Sequence, residues 1–175
     1  SGCIAVQFAL FGDPLYCAIF IVLSAVFDFF DGFVARLLKV SSDIGKELDS
    51  LADVISFGFA PAALVCNMFK DYPYSESMFW IAPYLPYAAF IIAAFSAVRL
   101  AKFNLDTRQT HSFIGMPTPA NALLIIGIAN APLLQVAWTT PIWGLIFLVS
   151  LIALTSYLLV CELPMFSLKT PSKLP

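Results

Sequence analysis

The sequence predicts an all-α, polytopic membrane protein with six transmembrane helices, and three observations lead to this fold class. Hydrophobic residues make up 61% of the 175 positions and charged residues only 11%, whereas a typical globular domain is about 25% charged. Long apolar segments alternate with short polar ones. Only helices and closed barrels satisfy their backbone polar groups in lipid, and these segments are too long for barrel strands.

The apolar segments give the predicted helices in order, at residues 1–11, 14–38, 47–69, 79–103, 118–138 and 141–161. The first is too short to cross a bilayer, which needs about 20 residues, and we expect it to be a first helix truncated at its N-terminus. The third is expected to start near Ser42 or Asp43, which are good caps. Three segments start at a capping residue followed by a proline suited to the first turn: Asp13–Pro14, Thr118–Pro119 and Thr140–Pro141.

The distribution of positive charge predicts the orientation. Eight of the nine Lys and Arg residues lie at one end of the predicted bundle, and only Lys70 lies at the other. The positive-inside rule makes the first end cytoplasmic. We therefore expect one domain over residues 1–175 in the cell (inner) membrane, with a cytoplasmic tail at 163–175. The small net charge of −2 suggests no nucleic-acid partner.

One stretch, residues 28–53, carries six acidic residues and only three basic ones. Asp28 and Asp31 are three positions apart and Asp49 and Asp53 are four apart, so each pair shares a helix face. Two antiparallel helices joined by a short turn would aim all four carboxylates at one point, where they repel one another unless a positive group lies among them. Oxygen ligands suit Mg²⁺, Mn²⁺ or Ca²⁺. Four carboxylates are enough for two ions, an arrangement suited to displacement at phosphorus.

Small residues accompany these aspartates. Gly32 and Ala35 leave room on the same helix and Gly45 opens the turn, so that a bulky ligand can approach the backbone. Arg36 would hold a phosphate with its guanidinium fork. Each feature also has a purely structural explanation, since closely spaced small residues often serve helix packing and an arginine near the interface often extends toward water.

Together these residues form the pattern Asp28-x2-Asp31-Gly32-x2-Ala35-Arg36-x8-Gly45-x3-Asp49-x3-Asp53, which resembles the full signature of the CDP-alcohol phosphotransferases. The resemblance implies a homodimer with six transmembrane helices per chain, and transfer of a phosphatidyl or similar group from a CDP-linked donor to an alcohol, with release of CMP.

The resemblance also implies roles for individual residues. Asp28, Asp31 and Asp49 would bind one divalent cation, Mg²⁺ or Mn²⁺, and Asp28, Asp49 and Asp53 a second. Asp53 would also be the general base that accepts the proton of the alcohol. Four further positions would border the CDP: Gly32, Ala35, Arg36 and Gly45.

Residues 50–62 (SLADVISFGFAPA) and 98–122 (VRLAKFNLDTRQTHSFIGMPTPANA) resemble the phosphatidylserine synthase branch of this family. The branch implies CDP-diacylglycerol as donor and L-serine as acceptor. Lys102 stands where arginine is common in the branch, and Met116 where leucine is more usual. A serine carboxylate would need an arginine or a helix N-terminus. The candidates for the acceptor pocket are Arg99, Asn104, Thr118 and Ser56.

Two alternatives remain open from the sequence. The same chemistry would serve another acceptor, such as glycerol 3-phosphate or inositol phosphate, for which Arg99, Lys102 and Arg108 would supply a basic pocket. The carboxylates would also suit a divalent-cation transporter. Transport sites usually lie near the bilayer midplane on broken helices in paired repeats, whereas these acids lie near one interface in one half of the chain.

Overall fold

All of the regular secondary structure in the described part of the chain is helical. The computed structural model describes residues 1–38, 42–78, 80–105, 115–141 and 143–161, without the side chains of Arg36, Asp43 and Ser77. The predicted tail at 163–175 therefore lies outside the described residues. The α-helices are α1 (Gly2–Phe11), α2 (Pro14–Leu38), α3 (Asp43–Asp53), α4 (Ala60–Met68), α5 (Ile91–Leu105), α6 (Thr118–Ala129), α7 (Pro132–Thr139) and α8 (Trp143–Val160).

The prediction of an integral membrane protein is confirmed, and the count of six spans is approximate. In the described part of the chain, four segments are long and apolar enough to cross a membrane: Pro14–Ala35, Ile44–Asp71, Leu85–Leu105 and Trp143–Val160. Among the described residues α6 and α7 make a fifth if they are counted as one bent span, and α1 is a shorter apolar helix of 10 residues.

A tight turn joins α1 to α2. Gly12 adopts a left-handed conformation with φ 82°, which a residue with a side chain rarely adopts, and it ends α1. The carboxylate of Asp13 accepts a hydrogen bond of 3.3 Å from the backbone N–H of Tyr16. The predicted cap of α2 is therefore confirmed, and α1 packs along α2.

The third span lies at the centre of the bundle. Every residue of α4 except Asn67 is buried, and α4 contacts α1 and α6. A π-helical segment, Val54–Phe59, joins α3 to α4 without a break, and the N–H of Ala60 donates to the carbonyl of Ile55. Pro61 has no N–H to continue the α-helical pattern at this point, which explains the wider turn.

Two predicted helices differ from the observed ones because of prolines. The segment predicted as a helix at 118–138 is divided into α6 and α7, which meet at 82°. Pro132 cannot continue α6, and the amide of Asn130 donates to the carbonyls of Ile126 (2.8 Å) and Pro14 (3.1 Å) at the break. Ahead of α5, a 3₁₀ turn at Leu85–Phe90 replaces the start of the helix predicted at 79–103.

The expected capping residues have mixed outcomes. Ser42 caps α3, because its hydroxyl accepts a 3.0 Å hydrogen bond from the N–H of Gly45. The expectation for Thr118 is wrong: Pro117 is the N-cap and Thr118 is the first helical residue. The hydroxyl of Thr140 donates to the carbonyl of Ala137 in α7, at 3.0 Å.

A glycine sets the distance between the π-helical segment and α5. A Cβ atom on Gly58 would lie 2.9 Å from the Cβ of Ser96 and 3.7 Å from the Cα of Ala93. Small residues at this crossing let the two backbones approach closely, as in many membrane helix pairs. The crossing fixes the position of α5 relative to the residues that follow Asp53.

We predict that Gly58→Ala lowers the stability of the protein by about 1–3 kcal/mol, because the added methyl group overpacks this crossing. The measurement is thermal unfolding of the purified protein in detergent. Gly127→Ala is the matched control, since a Cβ atom at Gly127 would meet nothing within 4 Å. Equal melting temperatures for the two variants would contradict the close approach.

Candidate active site

Three carboxylates converge where α2 meets α3. One ligand oxygen from each of Asp28, Asp31 and Asp49 lies within 4.8 Å of the other two. Asp28 is half-buried, and Asp31 and Asp49 are exposed. The structure thus brings together three of the four aspartates that the spacing predicted to meet, at what we call the carboxylate end of the bundle.

Asp53 lies beside this group and is not part of it. It is the last residue of α3, one helical turn after Asp49, and it is half-buried. Its carboxylate is close enough to be repelled by the charges of Asp28, Asp31 and Asp49, and it is attracted by the guanidinium of Arg99. Asp53 therefore interacts electrostatically with the three aspartates and with Arg99. Its roles as ligand of a second ion and as general base stay predictions.

The group of three is suited to a hard divalent cation. Opposite oxygen ligands of one ion are separated by about 4–5 Å, twice the usual metal–oxygen distance for Mg²⁺ or Ca²⁺. The three oxygens, within 4.8 Å of one another, fit that limit. Three carboxylates so close together also repel one another, so that a bound cation would stabilise their arrangement.

A cavity of about 560 Å³ opens beside these carboxylates, a size usual for the binding site of a small ligand. Five of its lining residues are positions of the sequence signature, and the three small ones, Gly32, Ala35 and Gly45, border this open space. The lining residues are Asp31, Gly32, Ala35, Ser42, Gly45, Lys46, Leu48, Asp49 and Ala52.

The two signature glycines in the lining differ in what they do. A Cβ atom on Gly32 would meet nothing within 4 Å, so the absence of a side chain there enlarges the cavity and is not required by packing. A Cβ atom on Gly45 would lie 2.9 Å from the hydroxyl oxygen of Ser42. Gly45 therefore leaves room for the cap of α3, in addition to bordering the cavity.

Sequence reasoning did not select Ser42 and Lys46 as site residues, although both line the cavity. Their distance from Gly45 in the sequence, three positions before and one after, could have indicated a place in the cavity wall. The first turn of α3 carries Gly45 and brings these neighbours to the same cavity. The side chain of Arg36 lies outside the described part of the structure, and its predicted contact with CDP stays a prediction.

Two acceptor candidates on α5 lie near the carboxylates. Arg99 is half-buried, interacts electrostatically with Asp53, and holds its guanidinium carbon 5.9 Å from the ring centre of Phe103. The amide of Asn104 donates a 3.0 Å hydrogen bond to the hydroxyl of Ser50, the residue that directly follows Asp49 in the chain. Asn104 therefore ties α5 to α3 beside the site.

The other two acceptor candidates lie in the bundle interior. Ser56, in the π-helical segment, packs against Gly2 of α1, where its hydroxyl would collide with an added Cβ atom. This contact is a packing role, and a role in acceptor binding stays a prediction. Thr118 is fully buried at the start of α6, and its hydroxyl has no hydrogen-bond partner.

Comparison with known proteins assigns the family. A model of the family described as CDP-alcohol phosphatidyltransferase matches residues 2–161. The chain belongs to this family. The match covers the carboxylate group, the cavity and all the described acceptor candidates, so these features lie within the domain that defines the CDP-alcohol phosphatidyltransferases.

Several relatives carry the name CDP-diacylglycerol–serine O-phosphatidyltransferase. The protein from Mycobacterium leprae (strain TN) is 36% identical over 184 aligned positions, covering 100% of this chain and 57% of that relative. The protein from Bacillus subtilis (strain 168) is 34% identical over 139 positions, covering 76% and 72%. The protein from Methanocaldococcus jannaschii is 44% identical over 110 positions, covering 63% and 48%. The chain thus spans little more than half the length of the mycobacterial relatives that it matches.

We predict that Asp49→Asn raises the thermal stability of the metal-free protein and removes most of its stabilisation by Mn²⁺. Without metal, the substitution removes a charge that repels Asp28 and Asp31. With metal, it removes a ligand, which should weaken binding by more than about tenfold, since even outer-shell changes have effects of that size. The measurement is thermal unfolding with and without added Mn²⁺.

Glu47→Gln is the control for this comparison. Glu47 is an exposed acid on α3 and does not belong to the group of three. If both variants respond to Mn²⁺ in the same way as the unaltered protein, the carboxylate group does not bind the ion.

Proposed function

We propose that the protein transfers the phosphatidyl group of CDP-diacylglycerol to the hydroxyl of L-serine, producing phosphatidylserine and CMP. The observation that carries this proposal is the convergence of three carboxylates beside a cavity lined by signature residues, with Asp31 and Asp49 in the cavity wall. Family membership supports the reaction type, and the names of the relatives support serine as the acceptor.

The donor occupies the cavity between α2 and α3 in this proposal. Gly32 and Ala35 leave room for the nucleotide on one side, and Gly45 does so on the other. Arg36 and Lys46 supply positive charge for the phosphates. A phosphatidyl donor brings its acyl chains with it, and the largely exposed apolar surface of α2 offers them a lipid-facing route.

The carboxylates would hold two divalent cations, Mg²⁺ or Mn²⁺, one bound by Asp28, Asp31 and Asp49 and the other by Asp28, Asp49 and Asp53. When bound, such ions neutralise charge on the diphosphate and on the departing CMP. The fit of the first three oxygens to one ion supports this assignment. The ligands of the second ion include Asp53, which lies close enough to interact electrostatically with the other three aspartates.

The reaction is a single displacement at the β-phosphorus, which carries the diacylglycerol. The serine hydroxyl oxygen forms the new bond to phosphorus, and the bond from phosphorus to the bridging oxygen of the diphosphate breaks, so that the electron pair leaves with CMP. Asp53 accepts the hydroxyl proton. The guanidinium of Arg99 attracts that carboxylate. A carboxylate is a weak base, so positioning of the two substrates provides much of the rate enhancement.

The carboxylate end faces the cytoplasm of the inner membrane in this proposal. Lys46 and Lys102 lie toward that end and Lys70 lies at the opposite one, as the positive-inside rule requires of a cytoplasmic face. Serine then reaches the site from the cytoplasm, and the donor reaches it from the inner leaflet. A homodimer is proposed from the family resemblance alone.

We predict that the purified protein releases CMP from CDP-diacylglycerol in the presence of Mn²⁺ when L-serine is added. Glycerol 3-phosphate and inositol phosphate, each offered separately, should give no CMP above the background without acceptor. The measurement is CMP release together with identification of the lipid product. Release with one of the other acceptors alone would retain the carboxylate chemistry and reject serine.

Asp53→Asn tests the role of the general base in this assay, and Glu47→Gln is the control variant. Asp53→Asn should reduce CMP release by at least about 100-fold, the usual contribution of a general base, while Glu47→Gln retains activity. If the protein in liposomes instead carries divalent cations across the membrane in the absence of any CDP-lipid, the divalent-cation transporter is the better assignment.

We also predict that Gly32→Ala raises the KM for CDP-diacylglycerol and leaves the KM for serine within about twofold. The added methyl group enters the cavity without touching any other part of the protein, so the fold should be unaffected. Helix propensity would even favour alanine by about 0.5–1 kcal/mol. The measurement is steady-state kinetics with each substrate varied in turn.

Gly127→Ala is the matched control, because it adds the same methyl group to a helix position that is equally open but lies on α6, away from the cavity. An unchanged KM for the donor in Gly32→Ala would place the nucleotide elsewhere.

A further inference from the structure

Most of the unsatisfied polar atoms in the interior lie on three helices. Among the described residues, six buried side-chain nitrogen or oxygen atoms have no hydrogen-bond partner, and five of them lie on α5, α6 and α8. They belong to Arg99, Thr118, Asn121 and Ser156, and Asn121 contributes both atoms of its amide. Thr118 and Asn121 have no exposed surface at all. A buried amide with neither its donor nor its acceptor satisfied is rare in a native interior.

Other buried hydroxyls in the same helices are satisfied locally. Ser96 donates to the carbonyl of Ile92 at 2.8 Å, and Thr155 donates to that of Leu151 at 2.7 Å. Thr118 cannot form this bond within its own helix, because it is the first residue of α6 and no helical turn precedes it. The unpaired groups are therefore not a general property of buried hydroxyls in this bundle.

The unpaired groups of α6 and α8 come from adjoining parts of the fold. Thr118 and Asn121 are three positions apart and share one face of α6. The N–H of Met116 donates a 2.9 Å hydrogen bond to the carbonyl of Leu158, which holds the start of α6 against the last turns of α8. Ser156 lies on the buried side of those turns, with Thr155 and Leu159.

The first turn of α6 adds backbone donors to this set. Its N-cap is Pro117, which makes no side-chain capping bond, and Pro119 has no N–H. The N–H groups of Thr118 and Ala120 thus have no acceptor inside the helix. The positive end of the helix dipole favours a carboxylate at this position.

We infer that Thr118, Asn121 and Ser156 form the subsite for the amino-acid part of the acceptor, a compact zwitterion. This inference rests on the proposed function. The first turn of α6 and the Thr118 hydroxyl bind the carboxylate. The amide of Asn121 can both donate and accept, so its oxygen accepts from the ammonium while its nitrogen donates to the carboxylate. Ser156 provides a further acceptor for the ammonium.

The position of α6 connects this subsite to the reacting centre. Both α5 and α6 pack against the π-helical segment, which begins directly after Asp53. An amino acid held at the start of α6 would therefore be bound by a helix that packs against the residues following that carboxylate. A zwitterion would also satisfy the amide of Asn121 and the hydroxyls of Thr118 and Ser156 together, which no side chain of the described chain does.

The test compares Thr118→Val with Thr155→Val. The two substitutions are chemically identical at two positions that are both fully buried, but only Thr118 has an unpaired hydroxyl. We expect Thr118→Val and Asn121→Leu each to raise the KM for L-serine by about tenfold or more, the usual effect of losing a hydrogen bond to a charged group. The KM for CDP-diacylglycerol should stay within about twofold, and Thr155→Val should change neither. If Asn121→Leu does not fold, the threonine pair still decides the question.

Three outcomes would reject a proposal, and they can be distinguished. An unchanged serine KM in a folded Thr118→Val variant, with serine-dependent CMP release in the unaltered protein, would overturn this inference alone. Equal effects on both substrates would assign the residues a structural role and overturn it as well. If the unaltered protein releases CMP only with another acceptor, the proposed function fails first.

Discussion

The carboxylates of Asp28, Asp31 and Asp49 repel one another, and the helices that carry them must be held together against this repulsion. Their ligand oxygens lie within 4.8 Å of one another, and without a bound cation nothing in such a group favours its own formation. The helices that carry them provide little burial at this end, since α2 and the first turns of α3 are largely exposed. The arrangement must therefore be stabilised from elsewhere in the chain.

That stabilisation comes from the buried continuation of α3. The π-helical segment and α4 extend α3 into the centre of the bundle, where almost every residue of α4 is buried. On the other side, α2 is fixed by the tight turn at Gly12 and by its packing against α1. The exposed carboxylate end is thus held by two helices anchored at their apolar ends, and the cavity remains open between them.

The π-helical segment is the structural junction between the two halves of the proposed site. It starts directly after Asp53 and contacts α1, α5 and α6. The cavity proposed for the donor lies between α2 and α3. The unpaired polar groups proposed for the acceptor lie on α6 and α8. Asp53 directly precedes the π-helical segment and interacts electrostatically with Arg99 of α5.

The fold class, the caps at Asp13 and Ser42, and the convergence of three of the four aspartates could be predicted from the sequence alone. These features depend on residues within a few helical turns of one another, so spacing and composition are sufficient. The prolines behind the 82° break and the π-helical turn were visible, but their effect depends on packing. The position of Lys46 in the cavity wall and the burial of Asn121 without a partner follow from helix packing and could not be predicted from the sequence. Burial and hydrogen-bond satisfaction depend on helices far apart in the chain, and no local pattern records which of them will meet.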